Sequence, residues 1–278
     1  MATVLITGCS KGIGYETALT FARAGHTVLA TMRTPANAPQ LAEIAKAESF
    51  PITVLTMDVD SDSSVSTCIE ALLANGPIDV LINNAGIEML GSVEEQSLAN
   101  FRAVMETNYF GAIRCIQAVV ASMRERQSGC ILNISSIAGR MSCPPMTPYC
   151  ASKWALEALT EGLAGEMKAF NVRVALVEPG VIDTAMAQRI GVSAPASPYH
   201  QGARFAAMFA NSLQQPVPPS LVAEAIFDVY NSGTWTLRHL VGPDAVPFIA
   251  LRGSMSDEEW VTLNAGDDAT FFARLSGN

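Results

Sequence analysis

Short runs of β-branched and aliphatic residues alternate with helically patterned stretches along most of this chain, and no other feature restricts its architecture as strongly. The runs fall at Val4–Thr7, Thr27–Met32, Thr53–Asp58, Val80–Asn83, Cys130–Ser135, Arg173–Glu178 and Leu237–Val241. Helical patterning occupies the gaps, near Ile13–Ala24, Gln40–Glu48, Ser63–Ala74, Phe101–Arg126, Tyr149–Phe170 and Ser220–Tyr230. Strands separated by a helix's length of chain pair in parallel, since a tight turn can join only antiparallel neighbours. The sequence therefore predicts an α/β, doubly wound Rossmann fold, with about seven parallel strands and helices on both faces. Ligands of such sheets bind beyond the carboxyl ends of the strands.

No repeat, low-complexity tract or linker divides the 278 residues, so one Rossmann-type domain over 1–278 is expected. Within it, residues 185–215, rich in Ala, Met, Phe and Pro, read as a substrate-binding lid, and 243–278 as a C-terminal tail. The tail carries a capping-box signature at Ser256–Glu259. The balance of 26 acidic against 17 basic residues, a net charge of −9, argues against nucleic acid or an anionic membrane as partner. No apolar run approaches the ~20 residues of a membrane span. The chain enters its first strand with no basic leader, so a cytoplasmic location is expected. Six cysteines without a C-x-x-C pair and three scattered histidines predict no metal site.

The first run ends in Thr7-Gly8-Cys9-Ser10-Lys11-Gly12-Ile13-Gly14. Bare glycine backbone at a strand-to-helix turn lets a phosphate reach N–H groups and the helix N-terminus. Gly8, Ser10, Lys11, Gly12, Ile13 and Gly14 are therefore candidates for dinucleotide binding, although the spacing is G-x-x-x-G-x-G rather than G-x-G-x-x-G. An NAD site carries an acid about 20 residues on that takes the ribose 2′-hydroxyl. Here the second run ends Leu29-Ala30-Thr31-Met32-Arg33, without one. Arg33 can pair with a 2′-phosphate and Lys11 adds a second cation, which favours NADP(H) over NAD(H) unless both are merely solvated surface residues. Further on, Tyr149 and Lys153 lie one helical turn apart. Free tyrosine, with a pKa of about 10, is a poor proton donor at neutral pH. A lysine on the same helix face lowers the cost of the phenolate. Hydride transfer to a ketone builds negative charge on its oxygen, which a hydroxyl such as that of Ser136 or Ser135 can meet.

The glycine turn, Asn83-Asn84-Ala85-Gly86, Ser136 thirteen residues before Tyr149, and Tyr149-Cys150-Ala151-Ser152-Lys153 follow one another in that order. Together they resemble the short-chain dehydrogenases/reductases, in their single-domain form with a TGxxxGxG turn and a YxxxK pair, over roughly the first 240 residues. The resemblance implies an NADP(H)-dependent oxidoreductase interconverting a hydrophobic ketone or aldehyde and its alcohol, with Tyr149 as general acid/base. It implies that Lys153 also bonds the nicotinamide ribose and that Ser136, rather than Ser135, donates to the substrate oxygen. It further implies that Asn108 distorts its helix and holds a water linked to the lysine, the plainer role being a polar residue on a helix face. Asp58 and Val59 are implied at the adenine, unless Asp58 caps the next helix, and Asn84, Ala85 and Gly86 beside a ribose. Pro179, Gly180, Val181 and Ile182 are implied as the nicotinamide segment, with Thr184 either on the carboxamide or capping a helix. Met141, Met146 and Met186 are expected to wall an apolar substrate site, while Phe205, Met208 and Phe209 belong to a lid or to ordinary core.

The stretch Cys150–Leu159 and the long tail are similar to the 17β-hydroxysteroid and retinol dehydrogenase branch. An alcohol dehydrogenase of that kind working oxidatively is thus the alternative, and a catalytically silent NADP(H) sensor the remote one. Family members pair subunits through the helices at 101–126 and 149–170, so a homodimer or homotetramer is expected. Leu156, Leu159, Leu163 and Met167 would serve either that contact or the core.

Overall fold

The computed structural model describes residues 1–192 and 197–275. Residues 193–196 of the anticipated lid, Pro195 among them, and residues 276–278 of the tail lie outside the described residues. Seven strands form one sheet: β1 (Thr3–Thr7), β2 (Thr27–Met32), β3 (Ile52–Thr56), β4 (Val80–Asn83), β5 (Gly129–Ile134), β6 (Val172–Pro179) and β7 (Arg238–Val241). Their order is β3-β2-β1-β4-β5-β6-β7 and every pairing is parallel. Winding runs outward one way through β2 and β3, then returns to β4 beside β1 and runs the other way. This is the doubly wound arrangement that the alternation predicts.

Side chains alternate across the sheet, so β1 feeds two cores. Val4 and Ile6 face the helices α1 (Gly12–Arg23) and α9 (Pro219–Asn231), where Phe21, Val222 and Ile226 are buried. Leu5 faces the opposite layer with Ile69, Cys115, Val119 and Met167. That layer is built from α3 (Asp62–Leu73), α5 (Gly111–Arg126) and α6 (Thr147–Lys168), while α2 (Gln40–Ala47) covers the β3 edge. Leu156, Leu163 and Met167 are buried within the chain, the latter two in this core with half-buried Leu159 packed against it.

The anticipated helix over 101–126 is broken. Helix α4 (Leu98–Met105) leads into a π-helical turn, Glu106–Phe110, before α5 begins. Asn108 sits at the centre of the wide turn. Its Oδ1 accepts from Ile87 N at 2.8 Å and its Nδ2 donates to Ile87 O at 2.9 Å and Ser152 Oγ at 2.9 Å. A side chain bonded to a neighbouring loop at both ends favours an extra residue in the turn over a regular ladder. The third strand is also shorter than its apolar run, stopping at Thr56 and leaving Asp58 in the following loop.

The lid segment folds as two helices, α7 (Ala185–Val192) and α8 (Gln201–Ser212). The tail contributes α10 (Ala245–Gly253), α11 (Asp257–Ala265) and α12 (Asp268–Leu275). Helix α11 starts in a full capping box, Ser256 accepting from Glu259 N and Glu259 from Ser256 N. No helix among the described residues is long and apolar enough to cross a membrane.

Beneath the carboxyl ends of β4 and β5 lies a buried polar chain. Asn83 Nδ2 donates to Asn133 Oδ1 at 2.8 Å, and Asn133 Nδ2 donates to Thr160 Oγ1 at 2.8 Å. Replacing Thr160 with valine keeps the volume but leaves the Asn133 amide donor without an acceptor. Thr160→Val should therefore cost ~1–3 kcal/mol in urea unfolding; an unchanged midpoint would show that the chain does not stabilise the fold.

Candidate active site

The site grows from the point where the strand order reverses, between β1 and β4. Thr7 Oγ1 accepts from both Asn84 N and Ala85 N at 3.0 Å, and Asn84 Nδ2 donates to Thr7 O at 2.9 Å and Gly8 O at 3.2 Å. Asn84 therefore braces the glycine turn. Ala85 and Gly86 form the small floor that the sequence implies, with Asn108 Oδ1 directly behind Gly86. Gly8 has φ +73°, and a Cβ there would stand 2.8 Å from Ala85 Cα. A Cβ on Gly14 would run into Asn84 and the carbonyl of Gly8. Gly8 and Gly14 are thus bare because their neighbours leave no room, and Gly12 because its φ is +63°. The N-terminus of α1 opens into the cleft with Ser10, Lys11 and Ile13 along it. These residues fit a dinucleotide's phosphates.

Around that turn runs one cavity of about 760 Å³ that takes in nearly every residue picked out in the sequence. Lys11 and Arg33 are exposed at its rim. Asp58 and Val59 line it too, and the cap of α3 is Ser61 rather than Asp58. Asp58 Oδ1 instead accepts from Asp60 N at 3.2 Å. Pro179, Gly180, Val181, Ile182 and Thr184 follow on the β6 side. The Thr184 hydroxyl accepts from Ala187 N at 3.3 Å, so it does cap α7, yet its proton stays available to the cavity.

Tyr149 and Lys153 project from the first two turns of α6, and both are buried. Lys153 Nζ donates to Ile134 O at 2.8 Å and lies 5.5 Å from the centre of the Tyr149 ring. Burial pushes the lysine down to about 8, against the pull of the Glu157 carboxylate one turn further on. Burial pushes the Tyr149 phenol above its usual range, opposed by a hydrogen bond from Ser136. Desolvation sets the direction of the phenol's shift in this arrangement. Ser136 and Ser135 also separate. Ser136 follows β5, borders the cavity and accepts from Ala138 N at 3.2 Å. Ser135 also lines the cavity, but it is buried with its Oγ unpartnered and stands close to Gly139.

Met141, Met146 and Met186 all line the apolar half, with Ile190, Phe205 and Phe209. Phe205 is buried against Met146 and Tyr149, so α8 packs as part of the wall. Four contributors carry no motif. Asp244 Oδ2 accepts from Val181 N at 2.8 Å, holding the segment after β6 in place. Glu157 and Glu178 are buried behind the Ser136 loop and share Arg238, at 2.9 and 3.5 Å. Burial pushes Glu178 above the usual carboxylate range, with Glu157 adding to the shift and Arg140 and Arg238 opposing it. The fourth, Arg204, is buried at the edge of the apolar wall. Nothing in the sequence marks any of them as buried or paired.

Comparison with known proteins agrees with this geometry. The short chain dehydrogenase family model matches residues 2–193. Retinol dehydrogenase 8 of Bos taurus is 36% identical over 268 residues, covering 90% of this chain and 84% of its own. Estradiol 17-beta-dehydrogenase 1 of Rattus norvegicus is 33% identical over 298 residues, covering 99% of this chain and 86% of its own. The structure of a gluconate 5-dehydrogenase from Burkholderia cenocepacia, in complex with NADP and tartrate, superposes with a TM-score of 0.77 at 25% identity, covering 88% of this chain and 95% of that one.

The Lys153 charge is full below its shifted pKa and lost above it. In lysine-labelled protein, the Lys153 side-chain NMR signal should titrate with a midpoint near 8. Glu157→Gln, which removes the opposing carboxylate, should lower that midpoint further. A midpoint at the ordinary ~10.4 would contradict burial as the controlling force.

Proposed function

The chain belongs to the short-chain dehydrogenase family, and we propose that it is an NADP(H)-dependent oxidoreductase interconverting a hydrophobic ketone or aldehyde and the corresponding alcohol. One observation carries this reading. A single cavity runs from the glycine turn and the cations Lys11 and Arg33, past Lys153, Tyr149 and Ser136, to a wall of methionine and phenylalanine side chains. The names of the relatives, a retinol and an estradiol dehydrogenase, support an apolar alcohol or ketone as the substrate class. The NADP complex of the gluconate 5-dehydrogenase, together with Arg33 and the missing acid after β2, supports the phosphorylated cofactor.

The chemistry divides between cofactor and protein. NADPH would supply the hydride, and the bare turn at Gly8, Gly12 and Gly14 would hold its phosphates with the N-terminus of α1. Arg33 and Lys11 would take the 2′-phosphate. Ser136 and Tyr149 present hydroxyls to the carbonyl oxygen, where charge develops as the hydride arrives. Tyr149, kept protonated by burial, gives its proton to that oxygen. The resulting phenolate then faces Lys153 at close range in a dry site, where an ammonium counts for far more than in water. Asn108 bonds Ser152 and both backbone groups of Ile87, anchoring α6, and with it Lys153, to the loop after β4. The methionine-rich wall excludes water and adapts to ligand shape.

Two measurements test the reading. Steady-state kinetics should favour NADPH over NADH by ~10-fold or more in kcat/KM, about 1.4 kcal/mol, and Arg33→Asp should erase or invert the preference. Equal use of both cofactors by the native protein would sink it. Tyr149→Phe keeps the ring and removes the hydroxyl, so NADPH binding should survive while ketone reduction falls by a factor of ~10² or more. Substantial turnover in that variant would reject Tyr149 as the proton donor.

A further inference from the structure

Two small apolar cores outside the main sheet wall the substrate half of the cavity. One gathers around Met146, Ile190 and Phe205, the other around Met141, Trp260 and Phe271. Residues 137–150 contribute to both, with Cys143 packed against each, but the outer walls come from α8 and from the tail, and among the described residues no strand ties these two together. What bonds α8 to the tail is a buried arginine. Arg204, on the first turn of α8, is 3% exposed and borders the cavity. Its Nε donates to Asp268 Oδ1 at 2.7 Å, its Nη1 to Asn264 O at 3.1 Å and its Nη2 to Gly266 O. The guanidinium also lies 4.6 Å from the centre of the Phe271 ring. All of these partners are in the tail, at the end of α11 and the start of α12.

The geometry suits a clamp. The carbonyls closing α11 carry the negative end of its dipole, and a planar guanidinium can serve two carbonyls and a carboxylate at once. Asp268 is more than half exposed, so its charge attraction alone is weak and the hold comes from the hydrogen-bond fork of a buried cation. His200 and Gln201 reinforce the seam, meeting Gly266 O at 3.2 Å and Asn264 O at 3.4 Å.

We propose that Arg204 is a specificity-determining positioning residue. By clamping α8 to the α11–α12 turn it fixes the separation of the two apolar cores, and with it the largest compound that can react at Tyr149. The proposal rests on the function proposed above. Without the clamp, the wall of α8 and the wall of the tail can part, and the cavity accepts longer or bulkier apolar bodies.

The test uses the whole chain with NADPH and a series of methyl ketones of rising length, ending in polycyclic ketones. In Arg204→Ala the ratio of kcat/KM for the largest to the smallest substrate should rise about tenfold or more, the scale on which a pocket discriminates by size. Asp268→Asn should move the ratio the same way by less, and NADPH affinity should be unchanged in both. A purely structural role lowers kcat/KM for every substrate together, and an unchanged ratio would overturn the proposal. Should Arg204→Ala not fold, Arg204→Lys and Asp268→Asn decide by the same ratio. Binding of the same compounds, followed by intrinsic tryptophan fluorescence, does not depend on turnover. If the native protein reduces none of them, the functional reading fails, while the clamp stands or falls on whether the variants bind larger compounds than the native protein does.

Discussion

The hydrogen bonds between Thr7 and Asn84 carry the consequences of a topological necessity. A parallel sheet wound both ways must place β4 beside β1, and the helices that follow those two strands diverge to opposite faces. The divergence opens a cleft at the carboxyl ends, and open backbone there needs partners. Thr7 and Asn84 supply them, joining the two strand ends through four hydrogen bonds. The same contact brings Gly8 so near Ala85 that no side chain fits at the turn. An anion-binding cradle is the by-product of closing the sheet at its point of reversal. Residues on β5 and α6 then need only face the same opening to reach a bound dinucleotide.

This explains which parts of the site were legible in the sequence. The glycine turn, Asn84–Gly86, Ser136, Tyr149 and Lys153 are each fixed by a local requirement: no Cβ at a turn, a hydroxyl after a strand, two side chains one helical turn apart. Such requirements leave short spacings behind. The strands were legible for a similar reason, since a strand buried on both faces reads as a continuous β-branched run. The break at Asn108 was half-visible: the asparagine stood out in a helical pattern, but its partners Ile87 and Ser152 are 21 and 44 residues away. Nothing in the pattern of residues 101–126 marks where the helix stops. The lid segment lacks strand patterning because α7 and α8 are short helices whose apolar faces turn to a cavity rather than to the sheet.

Glu157, Glu178, Asp244 and Arg204 were illegible for one shared reason. Each acts on a group distant in sequence: Arg238 for the two glutamates, Val181 for Asp244, the α11–α12 turn for Arg204. A charged residue in a sequence reads as surface, and only the fold reveals that it is buried and paired. The two glutamates illustrate what such burial entails. They sit behind Ser135 and Gly139 with Glu178 fully buried, and Arg238 and Arg140 are what keep two carboxylates together in so little solvent. Their place, one turn beyond Lys153 on α6 and immediately before Pro179 on β6, ties the charge balance of the β6 edge to the two segments that frame the reacting atoms.

The two halves of the cavity are accordingly built by different means. The reacting half is over-determined: Lys153 hangs on a β5 carbonyl, Asn108 is held at both ends, and the glycine turn has no room to relax. A substitution there disturbs several contacts at once, because interiors packed at that density transmit displacement. The substrate half rests instead on two satellite cores and a seam of a few bonds between α8 and the tail. Methionine and phenylalanine walls re-pack at small cost, and a seam can shift without moving a strand. On the function proposed above, chemistry and selectivity fall to separate parts of one molecule: the sheet reversal would fix where hydride and proton meet, and the helices held by the Arg204 seam would determine what can be brought there.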